Sequence, residues 1–384
     1  MTELKVDNIT NLAGSGKPNL PVAPTVGSNA AISTLNTHSY TSSGTEPSSP
    51  KNGALWWDSG NDKVMVYINS EFKEIELNAS SSSAHNNARA FTGGGSSSGG
   101  QVNQIQYFAT ASAGNASDFG DLLSVNYRAG ALTDGAGGRG LVFGGAWSPP
   151  VNVIQYITVA NTGNATDFGD LSNGSRTILG GCSDGTYGVM LAGNKGSGSS
   201  GSQADDKIMD RVTVQTAANS TDHGNLVSDT FSSWQCTSCA GTARGLHLST
   251  TAPSGGSAYQ QLEYFDISTA SNAANFGTLS TGNYAGAGVS DATRSVFGGA
   301  TSGNNLEYVT PATLGNSTAF GDLTVNRDYA GGADNLTYGF FCGGEASGGA
   351  KQNVIDHITI QTAANATDWG DLATAVEAPA TSAA

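Results

Sequence analysis

One phrase occurs six times in this chain: an apolar strand, a turn around Asn-Ala-Thr, then Asp-Phe-Gly-Asp-Leu or a close variant. The copies span 105–122, 154–171, 209–226, 262–279, 306–323 and 355–372. In every copy the strand position filled by Tyr107, Tyr156, Arg211, Tyr264, Tyr308 and His357 stands 11 residues before the one filled by Asp118, Asp167, Asp222, Asn275, Ala319 and Asp368. Chance does not hold a spacing six times. Successive copies lie 49, 55, 53, 44 and 49 residues apart, the period of a repeat built from small sheets. Upstream of each copy a second apolar strand ends in small residues, as in Leu141-Val142-Phe143-Gly144-Gly145 and Phe340-Phe341-Cys342-Gly343-Gly344. Before that comes a strand of small residues such as Ala129-Gly130-Ala131-Leu132-Thr133-Asp134. Each unit is therefore expected to hold four strands.

Composition agrees with an all-β chain. Glycine is 53 of 384 residues and only 12% are charged, so strong surface helix formers are scarce. Apolar residues at 38% suffice for a core. The predicted fold is a six-bladed β-propeller over residues 84–384, with the innermost strands rich in Gly and Ala where they crowd around the axis. The strand order, with its Gly-Gly, Tyr and outer aromatic positions, resembles the kelch repeat. That resemblance implies that Phe119, Phe168, Phe276, Phe320 and Trp369 pack between neighbouring blades, with His223 as the departure in the third. The first unit lacks a small-residue strand upstream, where only Ala84-His85-Asn86-Asn87 precedes it, and a tail, 373–384, follows the last copy. The tail is expected to supply the missing strand of the first blade, which leaves no open edge.

Residues 1–78 do not repeat. An extended arm is expected over 1–46, a three-stranded meander over 47–78 (around Leu55-Trp56-Trp57-Asp58), and a serine-rich joint over 79–83. Lys5-Val6-Asp7-Asn8-Ile9-Thr10-Asn11 resembles the N-terminal attachment segment of tail-fibre and related virion proteins of marine and cyanobacterial phages, and the Gly53–Asp58 hairpin is similar to small modules in the same proteins. The resemblance implies a virion protein held by residues 1–78 to other virion proteins, homo-oligomeric there, and displaying its C-terminal domain.

A net charge of −15, with 16 Lys and Arg scattered along the chain, supplies no basic face for nucleic acid. No apolar run approaches the roughly 20 residues of a membrane span, and Met1–Asn8 shows no signal-like apolar stretch, so the chain is expected to be made in a host cytoplasm and carried in a virion. Of Cys182, Cys236, Cys239 and Cys342, only Cys236 and Cys239 have a metal-like spacing, and a second pair is missing, so no metal and no cofactor is expected. The recurrent Asn and Asp read as turn residues bonding their own backbone. Arg128, Arg176, Tyr284, Arg327, Tyr329 and Glu377 fall at the starts of inner strands. The first five are the candidate ligand contacts, and the three arginines are expected to open onto the face that carries the variable loops. These residues lack a nucleophile motif. The expected function is a non-enzymatic phage appendage binding a host-surface glycan or receptor, or another virion protein. The alternatives are a sialidase-like enzyme on the same propeller and a capsid-decorating protein.

Overall fold

The computed structural model describes residues 25–26, 30–31, 41–43, 45–48, 50, 54–58, 63–68, 71–74, 89–135, 138–146, 149–177, 180–191, 193, 207–227, 237–240, 244–249, 260–281, 286–291, 293–300 and 303–383. The expected attachment motif at 5–11 and the joint at 79–83 lie outside them. The described chain is all-β, without a helix, and so without a helix that could cross a membrane. It divides into two compact units, Met1–Ser80 and Ser81–Ala384.

In the first unit Leu55–Asp58, Lys63–Ile68 and Glu71–Glu74 form the expected antiparallel meander. Trp56 and Val66 are buried in it, and Trp56 meets Phe72 edge-on at 5.2 Å. A fourth strand, Thr41–Ser43, pairs parallel to Leu55–Asp58, so part of the expected arm is sheet. Its Thr and Ser residues add no apolar periodicity by which a sequence could reveal it.

Among the described residues the second unit contains six antiparallel sheets with four strands each in their main path, beside one small three-stranded sheet. Five run in simple chain order, for example Gly130–Thr133, Arg139–Phe143, Val153–Thr158 and Thr166–Asp170 in the second. In the first sheet the strands Arg89–Gly93, Gly100–Ala109 and Ser117–Asn126 are completed by Ala380–Ala383, from the opposite end of the chain, with Ala380 opposite Gly93 and Ala383 opposite Ala90.

The conserved spacing within the repeat has a structural cause. In all six outer strands the register slips by one residue at the aromatic of Asp-Phe-Gly-Asp: in the second sheet Ile154 faces Gly169 while Gln155 faces Asp167, leaving Phe168 unpaired. The same bulge leaves out Phe119, His223, Phe276, Phe320 and Trp369. A bulge re-aims the side chain it carries. Phe119 is buried with Ile157, Val159 and Ala165 of the second sheet, Phe168 with Met190 and Val214 of the third, and Phe320 with Phe341 and Ile360 of the sixth. Phe276 is buried with Phe297 and Val309 of the fifth, and Trp369 with Ala90 and Phe108 of the first. His223 replaces the phenyl ring with a ring nitrogen 2.8 Å from the Asp266 carbonyl of the fourth sheet. The core is thus divided into clusters between adjacent sheets rather than gathered in one centre.

The glycine after each bulge lets the neighbouring turn approach. A Cβ at Gly169 would stand 2.5 Å from the Ala218 carbonyl oxygen, and one at Gly370 would stand 2.4 Å from that of Gly114. The Gly169→Ala variant is therefore expected to lose at least about 2 kcal/mol of unfolding free energy. Gly163→Ala, where a Cβ meets nothing within 4 Å, is expected to change it by less than about 0.5 kcal/mol. Denaturant titration of the two variants checks this, and equal losses would contradict the close-approach account.

Candidate ligand-binding site

Six repeated polar joints fasten each sheet to the next, and they decide which candidate side chains remain available. The Asn of each Asn-Ala-Thr turn does not bond its own turn, as the sequence had led us to expect. Its side-chain oxygen accepts the amide of the neighbouring outer strand: Asp121 to Asn164, Asp170 to Asn219, Asn225 to Asn272, Thr278 to Asn316, Asp322 to Asn365 and Asp371 to Asn115, all at 3.0–3.1 Å. The last runs from the sixth sheet to the first.

A second joint uses the residue before the strand-three Tyr position. Gln106, Gln155, Asp210, Glu263, Glu307 and Asp356 are all buried. Five accept an amide from the preceding sheet's outer strand or the connection just after it, from Thr374, Leu123, Val227, Ser280 and Thr324 respectively when Asp210 is set aside. Asp210 instead accepts the Ser172 hydroxyl at 2.6 Å. Burial works against the charge of Glu307, but hydroxyls of Ser317, Thr281 and Ser280 outweigh it and hold its carboxyl below the usual range.

These buried carboxylates account for two of the candidate arginines. Arg176 pairs with Asp210, and Arg327 with Asp356 at 2.9 Å, every side chain in both pairs being fully enclosed. The expectation that Arg176 and Arg327 open onto the variable-loop face is corrected: a carboxylate buried at a joint needs a counter-charge, and the guanidinium turns inward to supply it. Tyr284 lies outside the described residues.

Arg128 and Tyr329 are half-buried and do come together. The Arg128 guanidinium lies 4.5 Å from the Tyr127 ring centre and 5.9 Å from that of Tyr329. Beside them the Tyr127 hydroxyl donates to Glu377 at 2.8 Å, and Lys351 bridges Glu377, also at 2.8 Å, and Glu345. Lys351 and Glu345 belong to a small ribbon, Glu345–Ala346 and Ala350–Lys351, in the loop between strands two and three of the sixth sheet. These loops share a face with the connections between sheets, since the Ser96 amide bonds the Glu377 carbonyl and the Gly344 amide bonds that of Val376. Burial, and then the hydrogen bond to Glu345, push the Glu377 carboxyl up, while that same bond holds Glu345 below its usual range. Tyr127 is raised by burial, Arg128 opposing and Glu377 adding to it. Lys351 is raised because its two carboxylate partners outweigh the cost of burial.

Sequence reading missed Tyr127, Glu345 and Lys351. No repeat position marks the last two, which stand in a loop particular to the sixth sheet. It also missed a series of Arg–Tyr stacks: Arg89 on Tyr107, Arg139 on Tyr156, Arg244 on Tyr264 and Arg294 on Tyr308, at 4.2–4.7 Å. In the third sheet the partners exchange strands, Arg211 lying 4.6 Å from Tyr187. That exchange is the signal in the sequence that reveals the pairing. Among the described residues no group of three or more His, Cys, Asp and Glu side chains is placed to hold a metal ion. Cys182 and Cys342 are buried; Cys239 stands in the strand Thr237–Ala240, and Cys236 lies outside the described residues.

Arg176→Met is expected to lower the unfolding free energy by about 3–5 kcal/mol, because it leaves a buried carboxylate without its counter-charge. Arg128→Ala is expected to cost under about 1 kcal/mol. Chemical denaturation of both checks this, and comparable small losses would return Arg176 to the list of ligand contacts. A pH effect comes from the opposite face. Burial pushes the Asp334 carboxyl up to about 7, the Ser290 amide opposing and Asp291 adding to it. The folded chain then holds a proton that the unfolded chain releases near pH 4, so this contribution to stability falls as pH rises from about 4 to about 7. Asp334→Asn is expected to gain stability relative to wild type across that window, read from melting temperatures at stepped pH; a constant offset would contradict it. In comparisons with known proteins, no family model and no curated protein matches the chain.

Proposed function

We propose that residues 84–384 are a six-bladed propeller of the kelch kind, and that the chain is a non-enzymatic virion appendage, held by residues 1–78 and displaying the propeller to a host surface or a neighbouring virion protein. The observation that carries the propeller reading is the joint between the sixth and first sheets. Gly114 and Ala116 donate to the Trp369 and Asp371 carbonyls there, as Gly163 and Ala165 do to Phe119 and Asp121 between the first and second. A row of sheets would leave its two ends unlike its interior joints; a ring has no ends. The virion assignment is supported by the resemblance of residues 5–11 and 53–58 to phage attachment segments.

The non-enzymatic reading is supported by where the ionisable groups are spent. Arg176, Arg327, Asp210, Glu263, Glu307 and Asp356 are enclosed in joints. One contact favours the sialidase-like alternative, the Tyr127–Glu377 hydrogen bond. A nucleophilic tyrosine needs its hydroxyl lowered toward neutrality and a basic neighbour. Here burial raises Tyr127 instead of lowering it, which works against that role.

Full-length chain added in excess is expected to compete with particles for host cells and to release no reducing sugar from host polysaccharide. Antibody against residues 84–384 is expected to label intact particles. Polysaccharide turnover would overturn the non-enzymatic reading, and absence of the chain from purified particles would overturn the virion assignment.

A further inference from the structure

We infer that Tyr329, Arg128, Lys351, Glu345 and Glu377 together form a binding site for a neutral saccharide. The inference rests on the display function proposed above and names the ligand class of that surface. The site stands where three connections converge: from the fifth sheet to the sixth, the sixth to the first, and the first to the second. Each carries a non-glycine residue in the left-handed region two positions before its next strand: Tyr329 at φ 55°, Ala378 at 47° and Arg128 at 62°. Backbone hydrogen bonds string them together, Arg128 amide to Ala378 carbonyl at 3.3 Å and Ala378 amide to Tyr329 carbonyl at 2.8 Å. Holding a side-chain-bearing residue there is strained, because its Cβ crowds the following carbonyl oxygen. Ala378 makes the same turn with a methyl group, so the turn itself does not call for an arginine or a tyrosine. Uncommon backbone of this kind, when it orients large half-buried side chains, is characteristic of ligand sites.

Charge decides which ligand. The two carboxyls of Glu345 and Glu377 act on each other, Glu377 being raised and Glu345 lowered. Lys351 bridges both, Arg128 acts electrostatically on Glu345, and the short strand Arg327–Asp328 pairs with Glu345–Ala346 so that Asp328 stands opposite Glu345. The cations Arg128 and Lys351 are thus matched by the carboxylates Glu345, Glu377 and Asp328 around them. An anionic ligand would have to displace a glutamate from Lys351, on a chain whose net charge is −15. A hydroxyl group both donates and accepts, so neighbouring hydroxyls of a sugar satisfy a carboxylate and an ammonium or guanidinium side by side. The Tyr329 ring presents a negative face to the weakly positive C–H bonds of a pyranose.

Full-length chain is titrated, with saturation-transfer NMR detection, against soluble tetrasaccharides of glucose, galactose, mannose and N-acetylglucosamine, with tetragalacturonate as the acidic counterpart. At least one neutral tetrasaccharide is expected to bind. Its affinity is expected to fall at least about tenfold in Tyr329→Asn, which tolerates the left-handed backbone, and in Lys351→Met. Thr313→Ala, in an exposed turn on the opposite face, is expected to bind as wild type; melting curves confirm that each variant is folded. Binding of none of the neutral sugars, binding of the acidic one alone, or equal binding by all variants overturns the site. If the chain still competes for host cells in that event, the display function stands; if it neither competes nor binds, both fall.

Discussion

The joint between adjacent sheets is the interaction on which the rest of the second unit depends. It has a covalent root in the order Asp-Phe-Gly-Asp. The bulge turns the aromatic toward the next sheet, the glycine admits that sheet's turn, and the turn's Asn accepts an outer-strand amide. A small sheet of four short strands cannot bury both faces by itself. Each joint buries one face against a neighbour, and the net value of each of its hydrogen bonds is only about 0.5–1.5 kcal/mol. Stability therefore comes from repetition. Where the phenyl ring is lost, another polar contact enters: His223 to the Asp266 carbonyl, and the Trp369 indole to the Ala109 carbonyl at 3.0 Å.

Distribution of charge follows from the same joints. Carboxylates buried at them need donors, and Arg176 and Arg327 turn inward for that reason. A chain with few cations then has few to spare for ligands. Arg128 is set apart because the position preceding the strand-three tyrosine of the second sheet, Gln155, is an amide that needs no counter-charge. The same substitution that relaxes the joint leaves a guanidinium at the surface.

The architecture was legible because the repeat is strict. The six phrases, the four strands of each unit and the missing strand of the first unit all follow from spacing, and the structure pairs Ala380–Ala383 with Arg89–Gly93. The bulge was not read, although a glycine inside a strand pattern marks it, and the partner of the Asn was not legible: an Asn in a turn bonds its own backbone as readily as a neighbour's, and only the approach of the next sheet decides. The inward turn of Arg176 and Arg327 was hidden for a related reason, because it depends on acids 34 and 29 residues further along the chain. Arg128 and Tyr329 were legible as candidates, whereas Lys351 and Glu345 arise from a loop with no counterpart elsewhere in the repeat. Thr41–Ser43 escaped notice because a parallel edge strand of polar residues carries no apolar period.

Residue-resolved amide hydrogen exchange on the native full-length chain tests the central claim most directly. The amides of Asp121, Asp170, Asn225, Thr278, Asp322 and Asp371 each donate to an Asn of the adjacent sheet. If six equivalent joints close the unit, Asp371, which bonds Asn115 across the chain's two ends, exchanges as slowly as the other five. If Asp371 exchanges at the rate of an unstructured peptide while the others stay protected, the sixth joint is open and the account fails.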